Sequence, residues 1–309
     1  MTLAKASCEF EHEYDQRSKR ASIKSFEIED ESYLYAYTPF IRLKNSEDIL
    51  LIISGRGFSF VVLVLMFVFF YVALQLAKKG KAPQIRRITA MDAIDEAVGR
   101  ATEEGRPVHF TSGYAYATLS SEQGPQVLAS IGILSHVAAL CARFDVPIIY
   151  NTCIADSLPL VEETLRAAYR NEGKPESYDP KSIRYQPEQS PYVAAVLATL
   201  QRERPAVNMM IGGLYYESVV MGEAGNMIGA TQIGGTANIH QMPFIIATCD
   251  YAMIGEEIFA ASAYVTKDPL VTSGIAAGDW TKGLLILLTI LGAVMGLSGI
   301  PVISQLLKW

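Results

Sequence analysis

The stretch "PVHFTSGYAYATLSSEQGPQVLASIGILSHVAALCARFDVPIIYNTC", from Pro107 to Cys153, decides the fold class. Its two ends, "PVHFTSG" and "VPIIYNTC", are short apolar runs bounded by turn residues, a pattern typical of buried strands. The segment 124–145 between them is apolar almost all round and long enough for a helix of about 20 residues. A strand, a helix and a second strand in this order predict a parallel β-α-β unit.

The same alternation continues on both sides of this unit. Amphipathic or capped segments predict helices, and further apolar runs predict strands. The predicted helices are 89–105, 156–173, 192–204, 219–229 and 255–269, and the predicted strands lie within 206–218 and at 241–251. A polar segment rich in proline and tyrosine, 174–190, is predicted to be a connection. We therefore expect an α/β domain with a Rossmann-like parallel sheet that helices cover on both faces.

Two long apolar runs, Gly57–Ala77 and Gly283–Leu307, contain no charged residue. Each exceeds the roughly 20 residues that cross a bilayer as a helix, and buried core helices rarely go so far without a charge. The two tryptophans of the chain, Trp280 and Trp309, bracket the second run about 43 Å apart along a helix, close to the thickness of a bilayer with its interfaces. The predicted organisation is an N-terminal extramembrane segment at 1–56, partly extended or disordered, transmembrane helices at 57–77 and 283–307, and the α/β domain at 78–282.

Basic residues follow the first predicted span within ten residues: Lys78, Lys79, Lys81, Arg86 and Arg87. Positively charged flanks remain on the cytoplasmic side of membrane proteins. We therefore expect a protein of the cell membrane with two spans and a cytoplasmic main domain.

Composition narrows the function classes. With 50% hydrophobic and 19% charged residues the chain fits a mixed membrane and globular protein, and the net charge of −6 argues against nucleic-acid binding. The cysteines Cys8, Cys141, Cys153 and Cys249 lack CxxC spacing, and the histidines lack the spacing of a metal site. No metal is predicted, and the pattern identifies no cofactor.

The loops that follow parallel strands meet at one edge of a sheet, where ligands of such folds bind. In this chain these loops are polar and somewhat acidic, because they also carry Asp156, Glu217 and Glu256. The predicted ligand-binding residues at this edge are Ser112, Asn151, Thr152, Gly212, Gly213, Gly234, Gly235, Thr236, Asn238 and Asp250.

The "GGT" at Gly234, Gly235 and Thr236 has two interpretations. Its backbone N–H groups could cradle a phosphate. However, no lysine or arginine is close in sequence, the spacing matches neither GxGxxG nor GxxxxGK[ST], and the run that follows is predicted to be a strand. We therefore favour a packed turn in which glycine is needed because backbones crowd.

Three blocks of sequence carry a resemblance: "IRRITAMDAIDEAVGRATEEGRPVHF", "GILSHVAALCARFDVPIIYNTC" and "GATQIGGTANIHQMPFIIATCDYAMIGEEIFAASAYV". Together they resemble an uncharacterised bacterial and archaeal family of membrane proteins with a domain of unknown function. The likeness covers about Arg86 to Asp279. It implies a span, a Rossmann-like α/β domain and a second span, and it implies no catalytic residues.

Two functions are compatible with this plan. The first is a membrane scaffold or subunit of a larger membrane assembly, in contact with the lipid bilayer and homo-oligomeric. Its oligomer contact would include Gly292 and Gly296, a GxxxG step that lets a second helix approach closely. The alternative is a membrane-tethered enzyme or sensor that binds a nucleotide or small metabolite at the strand edge.

Overall fold

The structure is a computed structural model that describes residues 57–79, 88–113 and 118–297. The predicted N-terminal segment 1–56, most of the basic cluster and Trp309 lie outside the described residues. The described chain forms one six-stranded sheet in which all neighbouring strands are parallel, in the order β3-β2-β1-β4-β5-β6. The strands are β1 Val108–Gly113, β2 Ile148–Thr152, β3 Ile183–Tyr185, β4 Val207–Gly213, β5 Thr231–Thr236 and β6 Tyr251–Ile254.

Helices connect and cover the strands. They are α1 Gly57–Lys78, α2 Thr89–Glu104, α3 Gly124–Phe144, α4 Leu158–Asn171, α5 Gln189–Glu203, α6 Glu217–Met227, α7 Met242–Thr248, α8 Glu257–Thr266 and α9 Pro269–Leu297. Local signals explain several boundaries: prolines stand in the first turns of α3, α4 and α7, and Gly105 closes α2 with a positive φ of 63°.

The two faces of the sheet differ in chemistry. Helices α2, α3, α4 and α8 cover an apolar face, to which β1 contributes Val108 and Phe110. Helices α5, α6 and α7 cover the other face, to which β1 contributes His109 and Thr111, both fully buried. Successive residues of a strand point to opposite faces, so the alternation in "VHFT" divides one strand between an apolar and a polar layer.

The polar layer contains a row of side chains across three strands. His109, Asn208 and Gln232 are register partners on β1, β4 and β5, and all three are fully buried. Asn208 Nδ2 donates to Gln232 Oε1 at 2.7 Å, so Asn208 Oδ1 is the acceptor that His109 Nδ1 meets at 2.7 Å. Within the described residues His109 Nε2 has no hydrogen-bond partner.

Secondary structure was predicted wrongly in two parts of the chain. The run at 241–251 was expected to be a strand, but Met242–Thr248 is the helix α7. The strand at this place is Thr231–Thr236, which contains Gly234 and Gly235, and β6 follows α7. The short strand β3 also lies inside the segment predicted to be a polar connection. The run at 241–251 was misassigned because a short apolar run is compatible with either a strand or a helix. The strand β5 was missed because glycines are uncommon inside strands and favour the prediction of a loop.

Helices α1 and α9 pack along one another. Phe69 of α1 meets Trp280 of α9 edge-on with ring centroids 6.1 Å apart, and Ala73 packs with Ala276 and Ala277. Position numbers rise along α1 as they fall along α9, so the two helices are antiparallel. Helix α9 begins fourteen residues before the predicted second span and reaches it as one continuous helix.

In the part of the chain that the structure describes, three helices are long and apolar enough to cross a membrane: Phe60–Lys78 in α1, Pro269–Val294 in α9, and α3. They differ in how the protein covers them. Only 11% of the window in α1 and 17% of that in α9 is buried, against 61% in α3. Helix α3 is therefore a core helix of the sheet domain, whereas α1 and α9 keep apolar surface exposed.

Candidate functional site

The strand order reverses between β1 and β4, which is where doubly wound sheets bind ligands beyond the carboxyl ends of their strands. In this protein the two strand ends touch. Gly113 and Gly212 have φ of 123° and 141°, which side chains rarely adopt. A Cβ on Gly113 would overlap the carbonyl of Gly213, and one on Gly212 would overlap the carbonyl of Ser112. Glycine is required here because the backbones crowd, the reason predicted earlier for Gly234 and Gly235.

Tyrosine side chains bond to the two residues before Gly113 from both sides of the sheet. Ser112 Oγ is hydrogen-bonded to Tyr150 Oη at 2.6 Å on one side of the sheet, and Thr111 Oγ1 shares a hydrogen bond with Tyr192 Oη on the other. Ser112 and both tyrosines are fully buried. Burial raises the pKa of Tyr150 to about 12, so its phenol stays protonated and keeps its hydrogen bond. Ser112 thus lies at the carboxyl end of β1 beside the switch point, and its hydroxyl is engaged in a hydrogen bond within the protein.

Among the described residues, the carboxylate of Glu217 lies near the switch point. Glu217 begins α6 and is fully buried; its Oε1 accepts from the backbone N–H of Tyr215 at 2.8 Å and its Oε2 from Gln189 Nε2 at 3.0 Å. Burial raises the pKa of Glu217 above its usual value. Cys153 Sγ lies 3.5 Å from the carbonyl oxygen of Gly113, and burial, followed by the charge of Glu217, raises the pKa of this thiol to about 12. Cys153 therefore remains a thiol at neutral pH and is a poor nucleophile.

A second group of predicted residues gathers around Gln126 in the first turn of α3. Gln126 Oε1 accepts from the backbone N–H of Ala237 at 2.9 Å and lies 3.4 Å from Thr236 Oγ1, and its Nε2 donates to Asn238 Oδ1 at 3.1 Å. Asn238 Nδ2 donates to the carbonyl of Leu214 at 2.9 Å. These amides tie the ends of β4, β5 and α3 together, which leaves Thr236 and Asn238 occupied by bonds within the protein.

Gly234 and Gly235 lie inside β5 and do not form a turn. A Cβ on Gly234 would lie 2.6 Å from Cys249 Sγ and 2.7 Å from Ile245 Cγ2, so α7 and the residue after it pack directly on the strand. The helix that follows, α7, has only seven residues. The glycine pair therefore has a packing role, as the packed interpretation proposed, although side chains instead of backbones do the crowding.

The remaining predicted residues do not share one place. Thr152 ends β2, and its Oγ1 accepts from the N–H of Ile154 at 3.1 Å. Asn151 points toward α5, where its Nδ2 donates to Thr199 Oγ1 at 3.3 Å. Asp250 was placed at the carboxyl edge wrongly: it precedes β6 at the opposite, amino edge, where its Oδ2 accepts from the N–H of Gln232 at 2.8 Å. The misplacement follows from the helix α7 that had been predicted as a strand.

The sequence did not single out the side chains that bond to the predicted site residues. Tyr150, Tyr192 and Gln126 lie in predicted strand or helix segments, Gln189 lies in the predicted polar connection, and none of them is part of a motif. Among the described residues, no group of three or more His, Cys, Asp and Glu side chains is placed to hold a metal ion.

Fold and site together define a class: a doubly wound, Rossmann-type α/β protein that carries apolar helices long enough to cross a membrane. Within that class, residues 50–307 match the family model described as Domain of unknown function (DUF6754), and the chain belongs to this family. No curated protein and no solved structure matches the chain. The membership agrees with the resemblance found in the sequence.

Proposed function

We propose that this protein is a membrane-anchored scaffold or subunit of a larger assembly, with two spans, α1 and α9, and a cytoplasmic α/β domain. The observation that carries the proposal is the close contact of the strand ends at the switch point. Where doubly wound proteins hold a ligand, the described residues of this chain place Gly113 against Gly213, and Tyr150 and Tyr192 bond to the adjacent Ser112 and Thr111.

The exposed surfaces of α1 and α9 support the two spans. The exposed large apolar side chains of α1 run from Phe60 to Val72, and those of α9 beyond Trp280 run from Leu285 to Val294. Because Phe69 is level with Trp280, Leu285 is level with about position 64, so the two surfaces overlap along the helix pair. Such a band of apolar side chains is typical of helices in contact with lipid.

An assembly also needs contacts between copies. The helices with "ILSHVAAL" and "YVAAVLATL" do not supply them, because only Ala194 of these two runs is exposed. Exposed apolar side chains occur instead on α6 and α7, including Val220, Phe244 and Ile246. For Gly292 and Gly296 the contact with a second copy is our proposal. Gly292 follows Leu284 and Leu288 in the half-buried row that faces α1, so packing within one chain is the competing role.

The test is the double variant Gly292→Ile, Gly296→Ile in protein extracted into lipid nanodiscs. We expect the particle mass to fall from a multiple of the chain to one folded chain, because isoleucine blocks close helix approach. If the glycines pack only against α1, the protein instead loses thermal stability at unchanged stoichiometry. If neither mass nor stability changes, the second span makes no such contact. Gly283→Ile is the matched control, because a Cβ at exposed Gly283 meets nothing within 4 Å.

A second function, a membrane-tethered enzyme or sensor, has one observation in its favour. Glu217 is a buried acid with a raised pKa at the edge where this fold binds ligands, and perturbed acids of this kind cluster at functional sites. Under this function, protein extracted in mild detergent carries a stoichiometric nucleotide or small metabolite, detectable by mass spectrometry, and Glu217→Gln loses it. Without such a molecule in the unaltered protein, Glu217 has only a structural role.

A further inference from the structure

Three neighbouring strands end in exposed apolar side chains at the carboxyl edge of the sheet. Tyr216 follows β4, Ile239 follows β5 and Ile254 ends β6, and they are 56%, 76% and 41% exposed. Because β4, β5 and β6 are parallel neighbours, these side chains lie along one edge. Apolar tips gathered on one edge of a domain mark a surface that contacts another phase or molecule.

This edge lies beside the predicted start of the second span. Glu256, two residues after β6, forms an ion pair with Lys282 of α9, which also lies 3.4 Å from Asp279. A cavity of about 890 Å³ is lined by these three residues together with Ile88, which immediately precedes α2. The carboxyl end of β6 and the amino end of α2 therefore both adjoin Lys282, the last residue before the charge-free run 283–307.

Two exposed aromatic residues put the membrane boundary at about the height of this edge. Trp280 of α9 and Tyr71 of α1 are exposed, and the contact between Phe69 and Trp280 puts Tyr71 level with about position 278. Tryptophan and tyrosine concentrate at the interface between lipid and water. The charged Asp279 and Lys282 fit headgroup depth, because charges are costly deeper in the hydrocarbon.

We propose that the carboxyl edge of the sheet rests on the bilayer and that Tyr216, Ile239 and Ile254 enter its interface. The inference rests on the proposed membrane anchoring. The partner is the lipid surface itself, contacted through apolar burial, because the exposed acids Asp156 and Glu256 do not attract anionic lipids and the nearby Lys282 is paired with Glu256. It follows that a molecule reaching the strand ends has to come through the lipid interface.

Tryptophan variants test the placement in vesicles of phosphatidylcholine brominated close to the headgroup, where bromine quenches nearby indoles. The variant Ile239→Trp reports on the carboxyl edge. Met227→Trp is the matched control, because Met227 is 85% exposed but ends α6 at the opposite edge of the sheet. Subtracting the emission of the parent protein isolates the added indole, and quenching of the parent's own tryptophans shows that the spans are inserted.

We expect the emission added by Ile239→Trp to be strongly quenched, that added by Met227→Trp to be unchanged, and both results to be insensitive to salt. If the parent is quenched but Ile239→Trp is not, the edge faces away from the bilayer and the inference fails while the anchoring stands. An unquenched but blue-shifted Ile239→Trp shows that protein covers the edge, which also overturns the inference. An unquenched parent removes the anchoring and the inference together.

Discussion

Protonation of His109 is expected to destabilise the fold. His109 is fully buried on β1, and desolvation lowers its pKa from 6.5 to about 4, partly offset by its hydrogen bond to Asn208 and reinforced by the positive charge of Arg184. The hydrogen-bond pattern puts the proton of the neutral ring on Nδ1. A second proton on Nε2 would create a buried cation whose new N–H has no hydrogen-bond partner among the described residues.

The sign and size follow from linkage. His109 binds a proton near pH 6.5 in the unfolded chain and only near pH 4 in the folded chain. The contribution of neutral His109 to the free energy of unfolding is therefore complete above pH 6.5 and is lost as the pH falls from 6.5 through 4. At about 1.4 kcal/mol per pKa unit, lowering the pH from 7 to 5 costs about 2 kcal/mol of the free energy of unfolding, and the full loss below pH 4 is about 3 kcal/mol.

The assay is denaturant unfolding of the full-length protein in detergent at several pH values, compared with the variant His109→Gln. Glutamine offers an amide donor for Asn208 Oδ1 but does not titrate, so the other acids and bases of the protein contribute equally to both curves. We expect the parent to lose about 2 kcal/mol more than the variant between pH 7 and pH 5. Parallel curves would refute the assignment of a buried, neutral His109.

The remaining predictions concern the switch point, Glu217 and topology. Gly212→Ala should cost more than about 3 kcal/mol of unfolding free energy or prevent folding. Gly229→Ala is the control: Gly229 also has a positive φ but a Cβ there meets open space, so this variant should cost only about 1 kcal/mol. Equal losses of stability in a thermal melt would contradict the backbone contact at Gly212. Because burial raises the pKa of Glu217, the parent should lose stability relative to Glu217→Gln as the pH rises above 4.5. A difference in stability between the two proteins that does not change with pH would argue against the raised pKa. A membrane-impermeant thiol reagent applied to intact cells should miss Glu176→Cys in the domain and label Lys308→Cys beyond the second span; the reverse would invert the topology.

The sequence predicted the sheet best where strands are apolar and bounded by turns. The runs around Phe110 and Ile149 are bounded by turn residues and flank a predicted helix, and they form the buried strands β1 and β2 as predicted. Prediction failed at the β6 end, where "MPFIIAT" has the composition of a strand yet forms α7 over Gly234. The only local sign of a helix in the seven residues is the proline in its first turn, and tertiary packing decided the segment.

The candidate site was predictable in position but not in content. The rule that parallel strands present their carboxyl ends together placed Ser112, Gly212 and Thr236 at one edge. The hydrogen bonds of Tyr150 and Tyr192 beside this edge depend on which residues of β2 and α5 point inward. Each bond joins residues about 40 to 80 positions apart in the chain. Such pairings carry no spacing motif, so only the structure reveals them.

Native mass spectrometry of the unaltered protein, released from nanodiscs of its own membrane, tests the central claim most directly. We expect a mass that corresponds to two or more chains with lipid and without a stoichiometric small molecule, because the described strand ends at the switch point pack against each other and Tyr150 and Tyr192 bond beside them. A single chain that carries one nucleotide or metabolite would contradict the scaffold function.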